Sequence, residues 1–319
     1  MKVLLTGAFG NVGVSTLHEI KGRGHQVRCF DLKTPLNEKV SRDWAGEVEI
    51  RWGDITNPAD VAAAMQDIDV VLHLAAIIPP LSEKNPALAE KVNVGGTQNL
   101  VAAMQAQPKK PKIVMASSIS VHGKQFRTKL LTVDEPLKPG DHYSGHKIQC
   151  EKMLRESGLT FCILRLNAVM PLKLGQMDPI MFELALDSEV EYVHTRDVGL
   201  AFANAVDCPD VWGKTFFIGG GPTCRFLYRE FFTKFLDTMG IGMLPEEAYG
   251  TTPFYTCWMD TDEGQRLLAY QRYNYDDYMQ EIARLVGWRK PFIIAFRPFI
   301  RRWILSMSPY YKQAKTGAK

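Results

Sequence analysis

No run of apolar residues in this chain approaches the ~18 that a membrane-spanning helix needs. The only apolar stretch near the N-terminus, Val3 to Leu5, is too brief for the hydrophobic region of a signal peptide and flows straight into glycines, so no secretory leader is expected. The six cysteines (Cys29, Cys150, Cys162, Cys208, Cys224, Cys257) form no Cys-x-x-Cys pair, and most lie inside apolar patterns, where they read as small buried hydrophobes. Reduced thiols, a cytoplasmic location and no bound metal are the expectations. An excess of one charge is missing too: a net +3 dispersed over 319 residues lacks the concentrated basic face of a nucleic-acid binder, so no nucleic-acid partner is expected. Internal repeats and low-complexity tracts are absent. The length suffices for a large buried core, and one α/β domain or a domain with a lobe is expected.

What is present begins at residue 2. Lys2-Val3-Leu4-Leu5-Thr6-Gly7-Ala8-Phe9-Gly10-Asn11-Val12-Gly13 is a short apolar strand breaking into three glycines and then into a helical pattern. Gly7 permits a tight turn, Gly10 lets backbone approach a phosphate, and Gly13 allows a helix to pack closely on the strand. The helix that follows points unpaired N–H groups and the positive end of its dipole at an anion. About 20 residues on, the run Gln26 to Phe30 ends in Asp31, placed to accept hydrogen bonds from an adenosine ribose. This is a dinucleotide site.

Strand-like runs recur at Val48–Trp52, Asp69–Leu74, Lys112–Ala116 and Phe161–Leu166, with helical periodicity at Val12–Arg23, Pro58–Met65, Leu88–Gln105 and Tyr143–Ser157 between them. Alternation of this kind predicts an α/β chain: a Rossmann-type doubly wound parallel sheet with a smaller C-terminal substrate lobe. The boundaries read as 1–166 for the dinucleotide-binding domain, 167–290 for the lobe, with a return to the main sheet near 215–218, and 291–319 for an aromatic-basic tail. That tail carries Phe292, Phe296, Phe299 and Trp303 among Arg297, Arg301 and Arg302, with Pro298 to kink it. It reads either as a helix docked on the lobe or as a segment lying on a membrane surface.

Tyr143-Ser144-Gly145-His146-Lys147 places a Tyr and a Lys four apart on one helix face. A nearby ammonium favours the phenolate, which a free tyrosine does not reach at neutral pH. The run Ile113 to Ser118 brings hydroxyls to the end of the fifth strand, where one can orient a substrate oxygen for proton transfer.

With these elements in order, the chain from residue 1 to about 285 resembles the extended short-chain dehydrogenase/reductase family, which contains nucleotide-sugar epimerases and dehydratases and hydroxysteroid dehydrogenases. Further matching stretches are Gly53-Asp54-Ile55, His73-Leu74-Ala75-Ala76, Asn93 to Leu100, Ser117 to Gly123, Tyr192 to Val198 and Phe217 to Gly221. The resemblance implies that Tyr143 is the general acid/base, Lys147 lowers its pKa and holds the nicotinamide ribose, and Ser118 orients the reacting oxygen. It implies a cofactor set of Gly7, Phe9, Gly10, Asn11, Val12, Gly13, Asp31, Asp54, Ile55, Leu74, Ala75, Ala76, Asn93 and Ser117 together with Tyr143 and Lys147. It also implies a homodimer joined through the helices near 88–105 and 143–157. Asp31 favours NAD over NADP, because a carboxylate repels a 2′-phosphate, with Lys33 as an opposing charge.

The resemblance thins where nucleotide-sugar enzymes carry a cation for the substrate diphosphate. Here Asp187, Glu189 and Glu191 stand, the two glutamates reading as solvated strand residues. The loops at Ile77–Leu81 and Leu172–Phe182 are apolar, although such residues also serve as lobe core. His122 and His146 read as surface or hydrogen-bonded residues, and His194 as packing at a sheet edge. The resulting expectation is NAD-dependent hydride transfer to or from a weakly charged, hydrophobic, sterol- or lipid-like alcohol or ketone. The alternatives are a nucleotide-sugar epimerase or dehydratase with tightly held NAD, and a non-catalytic dinucleotide-binding scaffold.

Overall fold

Val3, Leu4, Leu5 and Thr6 of the first strand are all buried. A strand without a polar face belongs inside a sheet covered on both sides. In the computed structural model, which describes residues 1–127, 129–174 and 177–316, that is where it lies. The strands in chain order are β1 (Lys2–Thr6), β2 (Gln26–Asp31), β3 (Glu49–Trp52), β4 (Val70–His73), β5 (Lys112–Ser118), β6 (Phe161–Leu166), β7 (Ala168–Met170), β8 (Glu189–His194), β9 (Thr215–Ile218) and β10 (Arg225–Leu227). Among the described residues, seven form one sheet in the order β3-β2-β1-β4-β5-β6-β9. Every neighbouring pair in it is parallel. The other three form a small mixed sheet, β10-β8-β7.

Helices cover both faces. Asn11–Ile20 and Thr195–Asp207 pack on one through Leu17, Ile20, Val198 and Phe202. Pro58–Ala64, Gly96–Gln105 and His142–Glu156 pack on the other through Val61, Leu100, Met104 and Leu154. A separate aromatic core, with Tyr192, Phe231, Tyr275 and Tyr278 at its centre, holds the smaller lobe together and takes in Ile304 and Leu305 from the C-terminal segment.

The predicted helix over 88–105 is interrupted: Pro86–Glu90 and Gly96–Gln105 are joined by a π-turn, Lys91–Gly95. One added residue in a turn leaves the apolar spacing nearly unchanged, which is why periodicity reads through it. The helix Tyr275–Val286 adds to the expected ones, although its buried Tyr275, Tyr278, Met279, Ile282 and Val286 recur at helical spacing and Asn274 and Asp277 cap it reciprocally. Positions 175–176 of the apolar 172–182 loop and 317–319 of the tail lie outside the described residues.

Candidate active site

The chain leaves β1 toward β2 and β4 toward β5, so a crevice opens beyond the ends of β1 and β4, where the connections diverge. Gly7, at φ +67°, stands at its floor, where an added Cβ would lie 2.8 Å from the Ala75 nitrogen. A Cβ on Gly13 would come within 2.2 Å of the Gly7 carbonyl oxygen, so helix and loop can approach only as glycines. Gly10 caps the helix without a side-chain hydrogen bond, leaving its first-turn N–H groups to a cavity that Gly10, Asn11 and Val12 line. This backbone cradle suits a pyrophosphate.

At the end of β2, one Asp31 oxygen accepts the Phe9 N–H (3.0 Å) and the other accepts Leu32 N–H (2.9 Å) and the Asn37 amide (3.2 Å). Burial pushes this carboxyl above its ordinary value, against the two backbone hydrogen bonds that pull it down. Asp31, Asp54, Ile55, Leu74, Ala75 and Ala76 line an adjoining cavity of about 390 Å³, which also touches Gly7 and Gly10. Together the two spaces fit a dinucleotide.

Two of the expected cofactor residues, Phe9 and Asn93, line neither cavity, and a third, Ser117, lines the larger one with its hydroxyl engaged elsewhere. Phe9 is buried against Trp52, ring centroids 5.3 Å apart, so it contributes the N–H that holds Asp31 rather than a side-chain contact. Asn93 uses its amide on the main chain of Ile77, accepting at 2.7 Å and donating at 2.9 Å, and so fixes the loop beside the cavity. The Ser117 hydroxyl donates to Glu151 at 2.6 Å. A sequence motif places these residues near a cofactor without saying which way they point.

The catalytic candidates converge. Ser118, Tyr143 and Lys147 line one cavity of about 980 Å³ together with Gly10 and Val12. Ser118 Oγ accepts hydrogen bonds from both the N–H (3.1 Å) and the hydroxyl (2.9 Å) of Ser120, so its own proton is turned outward to donate. Lys147 is buried, and its ammonium donates to the Ala116 carbonyl at 2.7 Å, 5.7 Å from the Tyr143 ring centroid. Burial raises the Tyr143 phenol above its ordinary value, helped by the Asp141 charge, and lowers the Lys147 ammonium. The pKa lowering that the Tyr-x-x-x-Lys spacing suggests is thus not a property of these side chains by themselves. A further positive charge beside the phenol is needed.

Sequence reasoning missed the groups that hold Tyr143 in place. Asp141 and Ser144 form a capping box at the start of helix His142–Glu156, a signal present in their three-residue spacing. Glu83 comes from the short helix Leu81–Lys84 at the end of the apolar loop and accepts the N–H groups of His142 (3.2 Å) and Tyr143 (3.1 Å), and no local pattern could reveal a partner 60 residues away. Lys124 lies 4.8 Å over the Tyr255 ring and 5.3 Å over Phe254 on the far wall.

The remaining side of the cavity is largely apolar, built by Ile78, Pro79, Pro80, Val169, Ile180 and Phe254. Its charged wall residues are Lys84, Lys124 and Lys147 against Glu83, Asp141, Asp178 and Glu183. The acidic stretch that suggested repulsion of a diphosphate is different from its expected form. Glu191 is not solvated: it is fully buried and accepts from Arg225 Nε (2.9 Å), Gly221 N–H (3.0 Å) and Met259 N–H (3.0 Å). Arg225 stands opposite it in the β10–β8 register, and so neutralises it. Glu191 therefore presents no uncompensated charge to a substrate. His194 also departs from expectation, lying on the central strand of the small sheet and stacked on Tyr273 at 4.4 Å. His122 is buried and hydrogen-bonded to Arg165 at 3.0 Å.

Comparison with known proteins places these features. The family model described as the NAD dependent epimerase/dehydratase family matches residues 3–172. A 3-beta-hydroxysteroid dehydrogenase of Mycolicibacterium neoaurum is 32% identical over 201 residues, 59% of this chain and 51% of that enzyme, so the match spans about half of the relative's length. A 3 beta-hydroxysteroid dehydrogenase/Delta 5-->4-isomerase of Mycobacterium tuberculosis is 29% identical over 271 residues, 75% of this chain and 70% of the relative. Among solved structures, a UDP-glucuronic acid 4-epimerase from Bacillus cereus, crystallised with UDP-glucuronic acid and NAD, superposes with a TM-score of 0.76 at 20% identity, covering 90% of this chain and 99% of that one.

Proposed function

The chain belongs to the NAD-dependent epimerase/dehydratase family of enzymes, and on that premise we propose that it oxidises or reduces a weakly charged, hydrophobic alcohol or ketone of sterol or lipid type. The carrying observation is the cavity wall that Ser118 and Tyr143 share with Ile78, Pro79, Ile180 and Phe254, whose charged groups are net acidic among the described residues. Apolar surface rewards a hydrophobic ligand, and carboxylates oppose a diphosphate. The names of the two mycobacterial-type relatives agree with a sterol.

NAD, when bound, exchanges hydride at its nicotinamide and in its oxidised form brings a positive charge. The protein does the rest. Gly10, Asn11 and Val12 hold the pyrophosphate, and Asp31 holds the adenosine ribose. Ser118 donates to the reacting oxygen, Tyr143 moves its proton, and Lys147 keeps positive charge beneath the phenol. Pairing of two copies through the helices around 88–105 and 142–156 belongs to the same proposal.

The substrate class is tested by melting shifts with NAD present, across a panel of sterols, long-chain alcohols and nucleotide sugars. Any ligand of the native state stabilises by mass action, about 2.7 kcal/mol at a hundred times its Kd. Shifts with the lipids alone are expected. A shift with a nucleotide sugar and none with lipids would replace this reading by that of an epimerase.

Cofactor preference follows from Asp31. NAD is expected to bind at least tenfold more tightly than NADP, roughly 1.4 kcal/mol, and Asp31→Ala should narrow the gap. Lys33 is mostly exposed and faces Glu38 at 3.6 Å, so its charge is partly matched before it reaches a 2′-phosphate. Calorimetric titration of both cofactors checks this. Equal affinities in the unaltered protein would mean that a cation overrides the carboxylate.

A further inference from the structure

The C-terminal helices Lys290–Ala295 and Arg297–Leu305 carry two different faces. The inner one is docked. Ile293, Ile300, Ile304 and Leu305 pack on the lobe core, Arg297 Nε donates to the Gly240 carbonyl (2.9 Å), and Arg301 donates to the carbonyls of Ile241, Gly242 and Met243 at 3.1, 2.8 and 2.7 Å. That explains how the segment is held. It does not explain the outer face.

Trp288, Phe292, Phe296, Phe299 and Trp303 follow one another at intervals of four, four, three and four, which sets them along a single stripe of a helical segment. All five are exposed, at 73, 58, 56, 73 and 56%. Single exposed apolar residues are normal, whereas a continuous stripe of aromatics marks a surface for a partner. Charge identifies the partner. From Trp288 to Lys319 the chain has eight Lys and Arg residues and no Asp or Glu, while the whole chain carries only +3, so the remainder is net acidic. Arg289 lies over the Trp288 ring at 5.6 Å, and Arg302, also exposed, sits between Phe299 and Trp303. Among the described residues no helix is long and apolar enough to cross a membrane.

We propose that the outer face of residues 288–303 is a docking surface for an anionic phospholipid bilayer, on which the two helices lie flat. Aromatic rings enter the boundary between headgroups and acyl chains while cations meet lipid phosphates, and the absence of acids removes repulsion from the surface. A second copy laid face to face would instead bring two basic segments together. The inference is independent of the substrate assigned to the cavity.

Cosedimentation of the full chain with sucrose-loaded vesicles tests it. Binding to vesicles containing phosphatidylglycerol should exceed binding to pure phosphatidylcholine several-fold and should fall with salt. The triple variant F292S/F299S/W303S should lose at least tenfold in vesicle binding, and Arg289→Glu with Arg302→Glu should lose the preference for anionic lipid. Melting temperatures should not move, since these side chains are exposed; if the triple variant does melt earlier, the charge-reversal variant decides. Undiminished sedimentation of the variants, no binding by the unaltered chain, or a dimer in light scattering that the triple variant abolishes would each overturn the proposal.

Discussion

Tyr143→Phe is expected to lower turnover by about 10²- to 10⁴-fold while leaving NAD affinity within a few fold. The substitution keeps the ring, its place in the cavity wall and the neighbouring Lys147 ammonium 5.7 Å from the ring centroid, and removes only the group proposed to move a proton. Lys147→Ala should differ in kind. Its ammonium also ties helix His142–Glu156 to the end of β5 through the Ala116 carbonyl, so turnover and cofactor binding should both fall. Steady-state kinetics with a cofactor titration separates the two variants. Activity within tenfold of the unaltered enzyme in the phenylalanine variant would falsify the role given to Tyr143.

The pH dependence carries the same logic. Burial raises the Tyr143 phenol and lowers the Lys147 ammonium, so both side chains rest uncharged more readily than free residues do. The phenolate needs positive charge that the site does not generate alone. Turnover in the oxidative direction should therefore rise with pH along a limb that Tyr143→Phe removes.

What could be read in the sequence was what is local. Gly7, Gly10 and Gly13 act through one turn, and Tyr143 and Lys147 through one turn of helix, so spacing alone carries their geometry. The buried apolar strands gave the sheet for the same reason, since a parallel strand covered on both faces has little choice of residues. Groups whose roles depend on distant partners stayed hidden. Glu191 looks like a solvated strand residue until Arg225, 34 residues on, is seen opposite it. Asn93 looks like a cofactor contact until Ile77 is found to occupy both ends of its amide. The aromatic tail looks like one amphipathic segment, but its inward arginines and isoleucines and its outward rings are separate surfaces, a distinction that only the docking of Arg297 and Arg301 on the lobe reveals.

Glu151→Ala is expected to destabilise the protein by about 3–5 kcal/mol, the usual result of stripping one partner from a buried ion pair. Glu151 lies one turn beyond Lys147 on the same helix and is buried, as is Arg165 on β6. It accepts Arg165 Nε at 2.9 Å and Nη2 at 2.7 Å, and the Ser117 hydroxyl at 2.6 Å, so one carboxylate joins the catalytic helix to β5 and β6. Burial opposes its ionisation, but the hydrogen bond and charge of Arg165 outweigh that and hold the carboxyl below its ordinary value. A lowered pKa in the folded state gives stabilisation that is complete above the unfolded value and is lost as pH falls through the folded one. The unaltered protein should thus lose part of its stability under acid conditions through this group, and the alanine variant, having lost it already, should show a shallower acid limb. Glu151→Gln, which keeps the shape and some hydrogen bonds but not the charge, should fall between them. Denaturant unfolding of the three proteins at neutral and acid pH measures both effects. A neutral-pH loss below about 1 kcal/mol for Glu151→Ala would show that Arg165 finds other partners, with Val133 O (2.8 Å) and His122 Nε2 (3.0 Å) already beside it, and that the catalytic helix is held to the sheet without this pair.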